Sequence, residues 1–176
     1  CLAEDGIVPS ELDVGPHNVQ NVWQGDPYAA DLLVGYVAGE GAQVNPFYCS
    51  DQGLISLNQL VFESLVTLDD SQKPVPQLAD NWTHDGTDWV FTLRSGITFH
   101  DGAEMTAYDV VASYEAFVAN ASQNPYGNRL KLFIESMQAI DERQLQVKAN
   151  YTGYMTLYAM NFPVVHASTV GDDMPR

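Results

Sequence analysis

The sequence predicts an α+β fold in which a mixed or antiparallel sheet packs against helices. Two segments alternate apolar and polar residues, each behind a turn signal, which indicates antiparallel hairpins. Elsewhere, apolar residues recur at helical spacing, without the regular strand–helix alternation of a parallel sheet. The chain has 176 residues, 45% of them hydrophobic, which is enough for one domain with a buried core.

The first elements follow an N-terminal arm without periodicity. Residues 2–30 carry Gly, Pro, Asp and Asn throughout, as a tether does. Leu32–Ala38 is a short apolar run before two glycines, so it predicts a buried strand. A helix is predicted next, because apolar residues recur at helical spacing at Leu54, Leu57, Val61 and Leu65. Val66 and Leu68 continue from it as a strand. The prolines of "KPVPQLADNW" then indicate a connection.

Two hairpins are predicted further along. Trp89, Phe91 and Leu93 alternate with their neighbours, and Asp85-Gly86 before them supplies the positive-φ positions of a tight turn. The second hairpin turns near Asp141-Glu142, because "IESMQAIDE" precedes it and alternating apolar residues follow, namely Leu145, Val147 and Ala149. "GYMTLYAMNF" predicts a short helix, and "FPVVH" predicts an extended exit.

The stretch "FHDGAEMTAYDVVASY" concentrates charged residues between Phe99 and Tyr114. A metal site is disfavoured because His100 and Asp101 are adjacent and diverge on a regular element. A catalytic pair of Asp101 with Glu104 is conceivable, since both flank a turn, although acidic residues are abundant throughout.

A structural interpretation of the same stretch explains more of its residues. Asp101-Gly102 is a turn dipeptide, and Thr106 with Asp109 has the spacing of a capping box. We therefore expect Asp101 and Asp109 to bind backbone amides rather than substrate. Behind the cap, one apolar stripe is predicted to hold the helix against a sheet; its residues are Ala107, Val111, Tyr114 and Val118.

Charge and cysteine content narrow the function classes. With 23 acidic against 7 basic residues, the net charge of −16 would repel a phosphate backbone, so we expect no nucleic-acid partner. No run of about 18 apolar residues predicts a membrane-spanning helix. The sequence begins at Cys1, as bacterial lipoproteins do after processing, so we expect either a lipid-bearing cysteine or an arbitrary boundary. Cys49 is the second cysteine, and no disulfide framework is predicted.

The motifs in their order resemble those of a known family. An aromatic-His-Asp-Gly turn precedes Thr-Ala-x-Asp-Val at a helix start, and both follow a "PxLAxxW" segment and a strand ending "LRxG". This sequence has "PQLADNW", "LRSG", "FHDG" and "TAYDV" in that order between Asn45 and Phe117. "MQAIDERQLQVKANY" and "NFPVVHAS" continue the pattern to about residue 168. The chain thus resembles the N-terminal part of bacterial extracellular solute-binding proteins of the peptide/nickel, or oligopeptide-binding, class of ABC importers.

The resemblance implies part of a type II periplasmic-binding-protein clamp with two lobes, the second of which lies outside this sequence. It implies a non-enzymatic component that passes a peptide or another small solute to ABC permease subunits, with neither metal nor cofactor. It places the protein outside the cytoplasm, either periplasmic or anchored to the outer face of a Gram-positive membrane through lipid at Cys1. The implied divisions are a tether (1–31), the first strand and loop of lobe one (32–52), the smaller domain (53–168) and a truncated connection (169–176).

Ligand binding is implied for two loops that follow the first strand. The ligand-binding residues are Gly39, Glu40, Gly41, Ala42, Tyr48, Cys49, Ser50 and Asp51. Extended peptides are usually held by main-chain hydrogen bonds, so these side chains reveal little of the specificity. The alternative function is a carbohydrate-active or hydrolytic enzyme that uses an acidic pair such as Asp101 and Glu104, and a weaker one is an adhesive surface domain.

Overall fold

The computed structural model describes residues 45–170, which contain four helices and six strands. The helices are α1 (Gln52–Val61), α2 (Ala107–Ala119), α3 (Pro125–Phe133) and α4 (Met155–Ala159). The strands are β1 (Val66–Leu68), β2 (Pro74–Pro76), β3 (Ala79–Asp85), β4 (Asp88–Leu93), β5 (Ile134–Ala139) and β6 (Gln144–Ala149). Short 3-10 turns lie at Pro46–Tyr48 and Ala167–Thr169. The predicted tether, the strand Leu32–Ala38 and the end of the connection from residue 171 lie outside the described residues.

A four-stranded antiparallel sheet in the order β3-β4-β6-β5 forms the centre of the described region. Both predicted hairpins are confirmed. Residues on one face of β4 are buried and pair with buried residues of β6, so that Trp89 faces Val147 and Phe91 faces Leu145. The strand alternation therefore places one apolar face of the sheet in the core. The first turn lies at Gly86 and the next residue, with a φ of +60° at Gly86, rather than at Asp85-Gly86.

The segment "KPVPQLADNW" contains two strands, so the prediction of a plain connection there is wrong. Pro74 and Pro76 belong to β2, which pairs with β1 and aligns Thr67 with Val75. On one side of that pair the Asp69 amide donates to the Lys73 carbonyl, and on the other side the Gln77 amide donates to the Leu65 carbonyl. Because ladder bonds involve alternate residues, the prolines occupy positions whose missing N–H would face away from β1.

The predicted helices are present, but their buried faces differ from the predicted stripes. In α2 the buried side is formed by Val110, Ser113 and Phe117 together with Ala107, whereas Val111, Tyr114 and Val118 are only half-buried. In α1, Leu54 is buried as predicted, while Val61 remains 53% exposed. Both helices carry apolar residues around much of their circumference, so spacing alone does not identify the side that is buried.

Helix α3 was not predicted, although its start has a recognisable signal. Asn124 caps it by accepting hydrogen bonds from the amides of Tyr126 and Gly127, and Pro125 occupies the first position. Asn followed by Pro is a favoured helix start. A Cβ atom at Gly127 would collide with the backbone oxygen of Phe117, so glycine lets α3 cross close to α2.

The extended exit predicted at "FPVVH" is confirmed and is buried along most of its length. Its backbone is fixed from two sides, since the Val164 amide bonds to the carbonyl of Glu63 at 2.9 Å and the Val165 amide bonds to Ser113 Oγ at 2.9 Å. The segment thereby joins the end of α1 to the middle of α2.

Candidate functional site

The charged residues between Phe99 and Glu104 form an exposed turn. Asp101 Oδ1 accepts a hydrogen bond from the Ala103 amide at 2.9 Å, and Gly102 follows with a φ of +87°. A single bridge between Thr98 and Glu104 closes the turn. Asp101 and Glu104 are both exposed to solvent. The expectation that Asp101 binds a backbone amide is confirmed.

Asp109 performs the same kind of task from a buried position. Its Oδ2 accepts from the Thr106 amide at 2.9 Å and from the Thr106 hydroxyl at 2.8 Å. Its Oδ1 accepts from the Ala167 amide at 2.8 Å. The carboxylate thus caps α2 and fastens the exit segment to it. The expectation that Asp109 binds backbone amides is confirmed as well.

The second of the two predicted ligand loops, Tyr48 to Asp51, lies beside α1 and α2. Tyr48 is 39% exposed and Ser50 is exposed, whereas Cys49 is buried. Asp51 caps α1, because its Oδ1 accepts from the amides of Gly53 and Leu54. Gly39, Glu40, Gly41 and Ala42 of the first loop lie outside the described residues, as does Cys1.

The Cys49 thiol is shielded from solvent and is not part of the loop's accessible surface. Burial raises the pKa of Cys49, and a backbone hydrogen bond with Asp51 partly opposes that change. In its neutral form the thiol donates to the Asp51 carbonyl at 3.7 Å. A thiol with a raised pKa is a weak nucleophile at neutral pH. Cys49 can therefore contribute to ligand binding through its backbone only.

Helix α3 contributes two residues that sequence analysis did not single out. The Tyr126 ring stacks edge to face on Phe117, with the ring centroids 5.2 Å apart, and the Arg129 guanidinium lies 5.6 Å from the Tyr126 centroid. Phe117 in turn contacts Phe47, whose ring centroid is 4.7 Å away. Tyr126 and Arg129 are therefore linked by ring contacts to the residue next to Tyr48. The Asn124-Pro125 signal would have placed them on a helix.

An apolar groove of about 490 Å³ lies at the opposite end of α1. Its walls are the last residues of α1, the turn Ile97–Asp101 and the exit segment around Val164 and His166. Asp51 caps the first turn of α1, so the length of that helix, about 15 Å, separates the groove from the Tyr48–Asp51 loop.

Residues 45–170 bring together no three His, Cys, Asp or Glu side chains that could hold a metal ion. Within the same residues, no helix is both long enough and apolar enough to cross a membrane.

Comparison with known protein families identifies the one that this chain matches. Residues 73–175, more than half of it, match the family described as bacterial extracellular solute-binding proteins, family 5, middle region. The chain belongs to this family. The family and the fold are those of solute-binding proteins, which are not enzymes, and they lend no support to the carbohydrate-active or hydrolytic alternative.

Individual relatives agree with this assignment. A putative binding protein of Haemophilus influenzae is 30% identical over 108 residues, which is 60% of this chain and 21% of the relative. The periplasmic murein peptide-binding protein MppA of Escherichia coli is 30% identical over 95 residues, or 53% of this chain and 18% of MppA. The chain thus spans about a fifth of the length of these relatives.

Solved structures show the same fold at lower identity. The Escherichia coli murein tripeptide binding protein MppA aligns with a TM-score of 0.66 at 22% identity, covering 77% of this chain and 31% of MppA. NikZ from Campylobacter jejuni, solved in complex with Ni(L-His), aligns with a TM-score of 0.63 at 24% identity, covering 77% and 27% of the two chains. The predicted α+β fold, as part of a type II periplasmic-binding-protein clamp, is confirmed.

Proposed function

We propose that this chain is part of the substrate-binding component of an ABC importer for peptides or a related small solute. The observation that carries the proposal is the family match over residues 73–175, supported by relatives described as binding murein peptides and a nickel complex. The protein acts outside the cytoplasm, binds no nucleic acid and delivers its solute to ABC permease subunits. It catalyses no reaction and needs no cofactor.

The solute contacts the two loops formed by Gly39–Ala42 and by residues 48–51. Tyr48 and Ser50 have exposed side chains, so they are available to a ligand, whereas Cys49 offers its backbone only. Main-chain hydrogen bonds hold an extended peptide in the manner of an added strand. A second lobe closes the site, which makes binding by the 176 residues alone weak. The sequence divisions at residues 31, 52 and 168 belong to the same proposal.

Isothermal titration calorimetry tests the function directly. The full-length product of the gene is titrated with a set of di-, tri- and pentapeptides and with Ni(L-His), and the 176-residue chain is titrated in parallel. We expect the full-length protein to bind at least one class of probe tightly, and the 176-residue chain to bind it at least about 100-fold more weakly. Tight peptide binding by the 176-residue chain would contradict the need for a second lobe. Absence of binding to the full-length protein in every class would contradict the transport function.

The lipid anchor at Cys1 requires its own experiment. Cells that express the full-length gene are labelled with palmitate, and the protein is compared with its Cys1→Ser variant. Cys49→Ser is the matched control, since Cys49 is buried. We expect label and membrane association to be lost in the Cys1 variant alone. Equal labelling of wild type and the Cys1 variant refutes the anchor.

A further inference from the structure

Arg129 on α3 is a half-buried cation with an incomplete set of hydrogen bonds. Its Nη2 donates to the carbonyl of Asn161 at 2.7 Å, just beyond α4. Its Nε is shielded from solvent and has no hydrogen-bond partner. Within residues 45–170, no carboxylate forms an ion pair with this guanidinium. A buried N–H donor without a partner is costly, and a partly dehydrated cation is costlier still.

The other two arginines of the described region show that this arrangement is unusual. Arg94 Nη2 donates to the Pro76 carbonyl at 3.4 Å, and Arg143 Nη2 donates to the Leu93 carbonyl at 3.1 Å. Each therefore makes the same kind of bond as Arg129, but both are exposed, so water satisfies their remaining N–H groups. Burial lowers the pKa of Arg129, an effect that nearby Tyr126 opposes.

The position of Arg129 connects it to the proposed ligand loop. Its guanidinium lies over the ring of Tyr126, 5.6 Å from the centroid. Burial raises the pKa of Tyr126; a hydrogen bond from Gln59 and the charge of Arg129 lower it, and Cys49 adds a smaller raising effect. Asn124, the N-cap of the same helix, donates from its side-chain amide to the carbonyl of Phe47 at 3.1 Å. The helix that carries Arg129 is thereby fastened to Phe47, the residue before Tyr48.

We propose that Arg129 binds a carboxylate of the solute. The inference rests on the proposed function and adds a chemical class to it. A guanidinium offers a planar fork of N–H donors that matches the two oxygens of a carboxylate, and partial dehydration strengthens such a pair. The net charge of −16 repels anions, so a carboxylate needs a local positive group such as Arg129 in order to bind. The source is either the C-terminus of a peptide or an acidic side chain.

Nuclear magnetic resonance of the arginine side chains tests the proposal on the 176-residue chain. The sequence contains four arginines, at positions 94, 129, 143 and 176, so the Nε–Hε spectrum is simple. Loss of one signal in Arg129→Lys assigns the residue. Three probes are titrated: trialanine, trialanine amide and Ala-Glu-Ala amide. Arg143 is the internal control, because it makes the same type of backbone bond but is exposed.

We expect the Arg129 signal to shift with trialanine and not with trialanine amide, with a dissociation constant on the order of millimolar for this single-lobe contact. A further shift with Ala-Glu-Ala amide assigns acidic side chains as a second source of the carboxylate. No shift with either acidic probe, an equal shift with trialanine amide, or a parallel shift of Arg143 overturns the proposal.

Calorimetry with the full-length protein separates this inference from the transport function. Wild type, Arg129→Gln, Arg129→Lys and the control Arg143→Gln are titrated with a bound peptide in its acid and amide forms. We expect wild type and Arg143→Gln to prefer the acid at least about tenfold, and Arg129→Gln to lose that preference while it still binds peptide. If Arg129→Gln keeps the preference, the carboxylate assignment fails and the transport function stands. If no variant binds any solute, both fail.

Discussion

Asp101 and Asp109 lie eight residues apart in one acidic stretch, and both accept hydrogen bonds from backbone amides. Asp101 makes one such bond, within its own exposed turn. Asp109 is buried, makes two bonds to Thr106 and reaches across the fold to the Ala167 amide. The same type of hydrogen bond therefore shapes a single turn at the surface, whereas in the interior it holds two segments together.

The comparison predicts unequal costs for similar substitutions. Removal of a buried acceptor leaves donors without partners, and that penalty exceeds the net value of an exposed bond that water replaces. Substitutions of Asp109, Ser113 and Asp101 test this inequality, and substitution of Gly102 tests the backbone strain in the exposed turn. In each case the free energy of unfolding is measured by urea denaturation followed by circular dichroism.

Asp109→Ala is expected to have the largest effect, a loss of about 3 kcal/mol, since it removes a helix cap and leaves the Ala167 amide unpaired. Glu115→Ala is the matched control, because Glu115 is an exposed carboxylate on the same helix. We expect the control to change stability by no more than about 0.5 kcal/mol. A loss below about 1 kcal/mol for Asp109→Ala would break the comparison.

Ser113→Ala is expected to cost about 2 kcal/mol, because Ser113 Oγ accepts from the buried Val165 amide. Its hydroxyl also donates to the carbonyl of Asp109, four residues earlier. Ser56 makes the same bond to the Gln52 carbonyl in α1, but it is exposed and has no second contact of this kind. The difference between Ser113→Ala and Ser56→Ala therefore measures the link to the exit segment. Equal losses in the two variants would show that the link contributes nothing.

Gly102→Ala is expected to cost about 1 kcal/mol through backbone strain alone. Its φ is +87°, and a Cβ atom would meet nothing within 4 Å. Gly102→Asn is expected to restore part of the loss, since asparagine tolerates a left-handed backbone better than alanine. If alanine and asparagine are equally costly, strain at Gly102 is not what shapes the turn.

Asp101→Ala is expected to have the smallest effect, about 0.5 kcal/mol or less, because water can replace its single exposed hydrogen bond. The result bears directly on the comparison with Asp109. A loss as large as that of Asp109→Ala would show that burial does not determine how much each of these carboxylates contributes to stability.

Features that depend on neighbouring residues could be predicted from the sequence, whereas features that depend on residues far apart in the chain could not. The hairpins and the capped start of α2 were predictable, since alternation, Gly86 and the Thr106 to Asp109 spacing act within a few residues. The strand at Pro74–Pro76 was missed because the pairing that accommodates its prolines depends on a partner strand. Of the candidate site, the accessible Tyr48 and Ser50 were named from the resemblance, whereas Arg129 was not, because its position depends on contacts with Asn161 and Tyr126.

The α+β class, both hairpins, the capped start of α2 and, through the ordered motifs, the family could be inferred from the sequence alone. These properties are local in the chain, so neighbouring residues suffice to specify them. Three features appear only in the folded chain: the buried face of α2, the bond between Asp109 and Ala167, and the shielded Nε of Arg129, which has no hydrogen-bond partner. Each of these depends on residues far apart in sequence, whose proximity is fixed when the helices pack on the sheet and exclude water.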